Sequence, residues 1–490
     1  MSKNKKGNNT VIADENKELG LNVDKKTIFL IAVVLVAILA VAGVLTQVMQ
    51  PGIYDTDSSG AIINGTFHAI GGRMPIWKIV LSPVLCFTNS NALTGLGIIA
   101  IIILVGGSFL LLDKSGVLKY LMASLIKRFK SRKYMLMAIV IFALMALSSC
   151  AGVLEESVTL VPLAVAISLA MGWDSLVGLG ISLVSIAWGF TAATFNPFNV
   201  VTCQKLCELP VYSGLWFRFI VFASVYLVLF LFLFVYAKKI EKNPQKSLVF
   251  ESDKELRSKY SINDIDAVLN DSQAKKSTKA FLSCMLIDLV CIVIDLVADF
   301  GGYLSLGAMA VLFTVGGLTA GYNMGLRGKK LGKTFFDGAK TLAPVIPLIL
   351  FILAISYVLN EGNIMHTILF NVYNLMENMP PIGAIFLLFL LIAVMEFFIG
   401  SGTAKAFLIM PIIAPLSDLV GITRQSVVTT FCLADGFTNL LYPTSGIMII
   451  AIGLVGVSYG KWLKWSWKLF LAEFVLSSAL MATMVLINYN

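Results

Sequence analysis

Apolar runs near the ~20 residues that an α-helix needs to cross a bilayer recur from Thr27 to Ile487, and several are cut by clusters of Gly, Ser, Thr, Asn and Pro. Inside hydrocarbon every backbone N–H and C=O has to be satisfied. Non-helical backbone therefore survives at membrane depth only where protein or a wet cavity covers it. Two cuts lie close together, at Gly400-Ser401-Gly402-Thr403-Ala404-Lys405 and at 435–445. A chain built this way is an all-α polytopic membrane protein, and its cuts are where a binding site is expected. Composition agrees: 58% of the 490 residues are hydrophobic and 13% charged, which excludes a soluble globule.

The net charge of +9 does not point to nucleic acid, because the Lys and Arg residues sit between the spans, where they report orientation. Lys3, Lys5, Lys6, Lys17, Lys25 and Lys26 precede the first span and place the N-terminus of this multi-pass protein in the cytoplasm. That span is too long for the apolar stretch of a cleaved leader. The seven cysteines are scattered, and both histidines, His68 and His366, fall in connecting segments, so neither a disulfide framework nor a metal or catalytic centre is expected. Cys203 and Cys207 share a helical face and read as packing residues. With no phosphate-binding loop and no Ser/His/Asp set, an enzyme is not expected, and no cofactor beyond a coupling ion.

Residues 1–26 read as a cytoplasmic tail. A first repeat, 27–238, holds a span at 27–48, an outside loop with an interfacial apolar piece at 75–85, a span at 93–112 and a basic amphipathic segment. It continues with a re-entrant hairpin at 134–172, a broken helix at 175–207 cut at 189–199, and a closing span at 215–236. Residues 239–279 read as a cytoplasmic linker and 280–298 as a connecting helix. The second repeat, 303–490, carries a hairpin at 381–420 and a broken helix at 424–457. The total is about nine transmembrane helices plus two re-entrant hairpins and two broken helices. Punctuation supports the repeat: Pro162 precedes Gly189 by 27 positions, Pro411 precedes Gly436 by 25, and Gly-Phe-Thr begins the cut in both halves. Charge bias sets the hairpins on opposite sides, so the repeat is inverted, a transporter signature with the site near the midplane.

Glu155 and Glu156 in the first hairpin tip are carboxylates at membrane depth, where an ionisable group is expensive and by default functional. They suit a cationic substrate, a proton or Na⁺; the bland alternative is a tip near the surface or a helix N-terminus. In the second tip Ser401, Gly402, Thr403 and Lys405 precede a half-helix whose N-terminus attracts a carboxylate, although the glycines also serve a tight turn. Asn196 and Asn199 in one cut, and Asp435, Asn439, Thr444 and Ser445 in the other, offer oxygens for substrate, or only for the interrupted backbone. A Na⁺ site is expected near Thr194, Asn196, Thr438 and Asn439. Asp288, Asp295 and Asp299 fall on one face of the connecting helix, where a proton path and a polar helix contact are both open readings, and Glu396 in a hairpin arm is equally open.

The strings Gly152-Val-Leu-Glu-Glu-Ser, Phe195-Asn-Pro-Phe-Asn, Gly400-Ser-Gly-Thr-Ala, Met410-Pro-Ile-Ile-Ala-Pro-Leu-Ser-Asp-Leu-Val-Gly and Asp435-Gly-Phe-Thr-Asn-Leu-Leu-Tyr-Pro-Thr-Ser-Gly resemble those of the YfcC family of basic amino-acid antiporters. That family is related to the C4-dicarboxylate uptake carriers within the ion-transporter superfamily. The resemblance implies hairpin tips that meet at the midplane, a homodimer and an elevator-type movement, with substrate at 149–157, 401–405, 196–199 and 435–445. Lys405 departs from the small residue expected there. The resulting expectation is a secondary transporter of arginine, ornithine or lysine, by exchange or ion-coupled uptake. Its Glu pair would hold the cationic end and its second tip the carboxylate. The alternative is a Na⁺- or H⁺-coupled symporter of C4-dicarboxylates or other organic anions, with Lys405 as anion anchor. A channel should show one ungated polar stripe, which this chain lacks.

Overall fold

The computed structural model describes residues 25–58, 62–88, 92–154, 157–260, 265–298, 303–343 and 346–490. The apolar runs form helices because a helix satisfies its backbone within itself. After α1 (Lys25–Val48) the outside loop forms a two-stranded antiparallel ribbon, β1 (Gly52–Ile53) against β2 (His68–Ala69). An all-α chain was expected. The ribbon forms in a polar loop, and the free edge of β1 is satisfied by protein, Gly52 N donating to the Asn363 carbonyl at 3.2 Å and Tyr54 N to His366 Nδ1 at 3.0 Å. The interfacial piece is α2 (Ile76–Val80) and α3 (Ser82–Leu85), divided where Pro83 has no N–H to give to the preceding turn, and Ile76, Trp77, Val80 and Val84 face outward.

Next come α4 (Ala92–Lys114), the amphipathic α5 (Val117–Phe129), and the arms α6 (Lys133–Ala151) and α7 (Ser157–Ala170). A broken helix follows: α8 (Ser175–Leu179) passes through a π turn, Gly180–Val184, into α9 (Ser185–Thr191), and a second π turn, Pro197–Val201, leads to α10 (Thr202–Leu206). Then come α11 (Leu215–Lys242), α12 (Asp253–Tyr260), α13 (Ile265–Leu269), α14 (Ser272–Ala298), α15 (Tyr303–Asn323), α16 (Lys329–Leu342), α17 (Ile346–Glu361) and α18 (Ile364–Met376). The arms α19 (Pro381–Phe398) and α20 (Gly402–Leu419), the interrupted pair α21 (Arg424–Thr438) and α22 (Gly446–Leu454), and α23 (Tyr459–Leu486) complete the chain.

Among the described residues six helices are long and apolar enough to cross a membrane, or seven if α16 and α17, bent by 50°, count as one span. Three of the six, α6, α19 and α20, are hairpin arms counted apart from the expected nine or so spans, and that expectation draws also on α1, α4 and α15, each of which begins next to an undescribed stretch. In the centre, α6 packs on α9 as α19 packs on α21, α7 lies on α22 as α20 lies on α10, α9 meets α21, and α11 meets α23. Around this core α4, α14, α15 and α16 pack together, and α1 lies on α17.

The segment that reads as a linker packs, in its first half, against the turn between α7 and α8. Asp174 caps α8 by accepting from Val177 N at 2.9 Å, and it also accepts the hydroxyls of Tyr236 at 2.7 Å and Ser247 at 2.6 Å. Asp253 accepts from Ser175 N at 2.8 Å and from its hydroxyl at 2.7 Å, while Arg257 donates to the Trp173 carbonyl at 2.9 Å. Burial pushes both carboxyls up, Asp253 from the ordinary 3.8 to about 6.

A carboxyl raised on docking stabilises the docked segment when protonated. That contribution is complete below 3.8 and lost as pH rises through about 6. Linkage makes it worth about 3 kcal/mol. Hydrogen exchange of 244–260, corrected for intrinsic rates, should be slower at about pH 5 than at about pH 7.5. Asp253→Asn should reduce that difference, with the raised Asp174 supplying the remainder, and protection independent of pH in the unsubstituted protein would refute the link.

Candidate functional site

At the first cut α9 stops at Thr191, and the end of α6 satisfies the freed backbone. Thr194 N and Phe195 N donate to the Ser149 carbonyl at 3.0 and 3.2 Å, and the Ser149 hydroxyl donates to the Ala192 carbonyl at 2.6 Å. Thr194 Oγ1 lies 3.0 Å from Ser149 Oγ. Asn196 caps the next turn, accepting from Phe198 N at 2.9 Å, and its amide donates to the Ser148 carbonyl at 3.4 Å. Asn199 accepts from Val200 N at 2.7 Å and donates to the Phe190 carbonyl at 3.4 Å. Beside them α6 ends on Gly152 in the left-handed region (φ 72°), where a Cβ would stand 2.4 Å from the Phe198 ring. Only glycine fits both demands.

The second cut is finished in the same way. Ser401 caps α20 by accepting from Ala404 N at 3.3 Å, and Ser445 caps α22 by accepting from Met448 N at 3.4 Å. Thr438 donates to the Ala434 carbonyl at 2.7 Å and Asn439 to the Asp435 carbonyl at 3.0 Å. The Thr444 hydroxyl is buried with no hydrogen-bond partner among the described residues. Thr403 links the halves, donating to the Phe198 carbonyl at 3.1 Å. The four residues expected around Na⁺, namely Thr194, Asn196, Thr438 and Asn439, are thus each engaged with backbone. Among the described residues there is also no group of three or more His, Cys, Asp or Glu that could hold a metal. The geometry does not single out a Na⁺ site.

The charges converge where three helices end. Lys405 lies in the first turn of α20, Glu396 in the last turn of α19 and Asp435 in the last turn of α21. Lys405 is 0% exposed, Glu396 5% and Asp435 1%. The Lys405 ammonium lies 2.6 Å from Asp435 Oδ1 and is also paired with Glu396 Oε2. Each charge opposes the dipole of its own helix, a cation at an N-terminus and carboxylates at C-termini. Their mutual pairing offsets this, and Asp435 leans over the start of α20, where a Cβ on Gly402 would meet its Oδ2 at 2.9 Å. Gly402 is therefore needed for close approach as much as for the turn.

Gly400, Ser401 and Ala404 remain exposed in front of this buried cluster. Glu155 and Glu156 lie outside the described residues. Asp288 is buried on α14, which packs on α15 and α5; Asp299 and the Asp295 side chain are also outside the described set.

Sequence reasoning leaves Glu396 open and passes over Arg218 and Glu473. A signal for Glu396 exists: it and Lys405 flank the tip from opposite arms. Arg218, 1% exposed, is placed by the fold alone, donating to Gln425 Oε1 at 2.9 Å.

A family model, that of the C4-dicarboxylate anaerobic carriers (DcuC), matches residues 28–486. A protein of Escherichia coli (strain K12) named "Putative basic amino acid antiporter YfcC" is 27% identical over 408 residues, which cover 81% of this chain and 79% of that one. An uncharacterized protein of Haemophilus influenzae is 26% identical over 373 residues, covering 75% and 71%. Among solved structures, the Alcanivorax borkumensis YdaH transporter aligns at 17% identity with a TM-score of 0.44, covering 93% of this chain and 98% of its own. Neisseria gonorrhoeae MtrF, described with a class of antimetabolite efflux pumps, aligns at 18% identity with a TM-score of 0.44, covering 93% and 94%. The family match takes in every helix of the hairpins and cuts, from before α6 to the end of α23, and so the chain belongs to the C4-dicarboxylate anaerobic carrier family.

Proposed function

We propose that this chain is a secondary carrier of the bacterial cytoplasmic membrane that moves a basic amino acid, arginine, ornithine or lysine, by exchange or by uptake coupled to Na⁺ or H⁺. The observation that carries this reading is the burial of Lys405 between Glu396 and Asp435. A free ammonium beside the site would repel a cationic substrate. Here its charge is matched by two carboxylates, and Lys405 presents no anion anchor to the exposed tip. Glu155 and Glu156 then receive the cationic end, and the accessible backbone at Ser401, Gly402 and Thr403 receives the carboxylate. Asn196, Asn199, Asn439 and Ser445 hold the cuts in shape around it, and the unpaired Thr444 hydroxyl is left for the solute. The name of the Escherichia coli relative agrees with this substrate class.

The mirrored packing, α6 on α9 and α19 on α21, α7 on α22 and α20 on α10, supports an inverted repeat around that site. About nine spans, a homodimer and an elevator-type movement complete this reading. The family's own description favours a second one, symport of a C4-dicarboxylate.

Uptake into proteoliposomes of labelled arginine, ornithine, succinate and citrate, with and without a Na⁺ gradient, separates the two. Counterflow of arginine against ornithine is expected. Transport of succinate with neither amino acid moving would overturn the proposal. Glu155→Gln and Glu156→Gln, made singly, should each reduce uptake of the cationic substrate; unchanged kinetics in both would remove the tip carboxylates from the site.

A further inference from the structure

The helix α23 packs against α11, α19, α21 and α22, and its buried stripe includes Leu469, Phe470, Glu473, Ser477 and Leu480. Glu473 is 0% exposed in the middle of a membrane-spanning helix. Among the described residues its side chain has one hydrogen bond, Oε1 accepting from the Ser477 hydroxyl at 3.3 Å, and its Oε2 has no hydrogen-bond partner. The surroundings are aromatic: Phe470 meets Phe437 of α21 at 5.8 Å, Phe474 meets Phe389 of α19 at 5.9 Å, and Phe389 meets Phe437 at 6.2 Å.

No counter-charge among the described residues pairs with Glu473. On α11, Arg218 is bonded to Gln425, and Lys238, Lys239, Glu241 and Lys242 lie at the far cytoplasmic end. Glu396 of α19 and Asp435 of α21 are held by Lys405, Arg424 of α21 is paired with Glu208 and Asp418, and α22 has no charged residue. On α23 itself Lys461, Lys464 and Lys468 precede Glu473 on the cytoplasmic side. Burying a bare carboxylate in such a place costs several kcal/mol, and an intramembrane carboxyl without a partner marks a proton or ion pathway.

We infer that Glu473 is a proton-binding site of the carrier. The bound proton neutralises the carboxyl while α23 lies against α19 and α21, and it exchanges with water when those helices part. The link to the solute site is direct: Phe437 is two residues beyond Asp435, and Phe389 is two turns before Glu396 on the same helix. The exchange is a simple protonation, carboxylate plus H⁺ giving the carboxylic acid. The inference rests on the reading of the chain as a secondary carrier, and not on which solute it carries.

The test uses the full chain in proteoliposomes and compares Glu473→Gln, the nearest neutral mimic of the protonated side chain, with the unsubstituted protein. Solute counterflow without a gradient should survive within about twofold, whereas uptake driven by an imposed pH gradient should fall about tenfold or more and its pH profile flatten. Equal ΔpH-driven uptake in both proteins, or no response to ΔpH in the unsubstituted one, overturns the inference. Absence of counterflow for every solute tried would instead overturn the carrier reading. Infrared difference spectra give a readout that needs no transport: a carboxylic-acid C=O band of the unsubstituted protein at neutral pH should vanish in Glu473→Gln. A spectrum unchanged by the substitution overturns the inference.

Discussion

Lys405→Met should abolish transport and lower the stability of the purified protein by about 3–5 kcal/mol, the usual cost of breaking a buried pair by removing one partner. The substitution keeps much of the aliphatic volume, so the loss is electrostatic. It strands Glu396 and Asp435, both buried and both at helix C-termini that disfavour negative charge. Because Lys405 stands between the arms and α21, the tip should loosen along with the charge cluster. The companion is the neutral triple variant Lys405→Met, Glu396→Gln, Asp435→Asn, which removes all three charges. Replacing a whole buried ionic set is often neutral in stability, so the triple variant should recover most of the melting temperature while transport stays absent. A single Lys405→Met protein with the parental melting temperature and uptake would show that the cluster contributes neither stability nor function.

Gly436→Ala should be the next most damaging change, costing about 3 kcal/mol, at the upper end of what overpacking usually brings. A Cβ there would lie 2.1 Å from Thr191 N, 2.6 Å from Thr191 Oγ1 and 2.7 Å from the Phe190 carbonyl carbon. Two of these neighbours are backbone at the end of α9, so no rotamer change relieves the contact. Gly189 on the same helix is pressed in turn against the Met145 carbonyl and the Ser148 side chain of α6, which closes that escape route. Gly460→Ala is the control, since nothing stands within 4 Å of its would-be Cβ and alanine favours a helix. Melting temperatures and uptake should separate the two variants clearly; indistinguishable proteins would mean that α9 yields where close packing says it cannot.

What could be read from the sequence was mostly local. The cuts at 189–199, 400–405 and 435–445 are marked in the sequence by Gly, Ser, Thr, Asn and Pro, and in the structure Ser401 and Ser445 cap the helices that restart there while Gly152 closes α6 in the left-handed region. Such signals act over three or four residues, and composition preserves them.

Choices between distant partners were not legible. From the sequence Lys405 could pair with Glu155, Glu156 or Asp435, and only the convergence of α19, α20 and α21 selects Glu396 and Asp435. The same limit hid the docking of 244–260. Its Lys, Asp, Glu and Ser residues have the composition of a solvated linker, and Asp253 differs from its neighbours only because the turn at Ser175 offers it two donors. Glu473 carries no periodic or motif signal at all. It looks like a single polar residue in an apolar run until its surroundings are known.

The contact between Gly436 and Thr191 also has a kinematic consequence. At this point α21 presents no side chain that could act as a deformable layer against the α9 backbone, and the joint has very little play. Sliding α21 along α9 would drive a peptide group into a peptide group, whereas carrying both together disturbs nothing between them. The first and second cuts are thus parts of one stiff piece, and any stroke that moves a solute has to find its hinges elsewhere in the molecule.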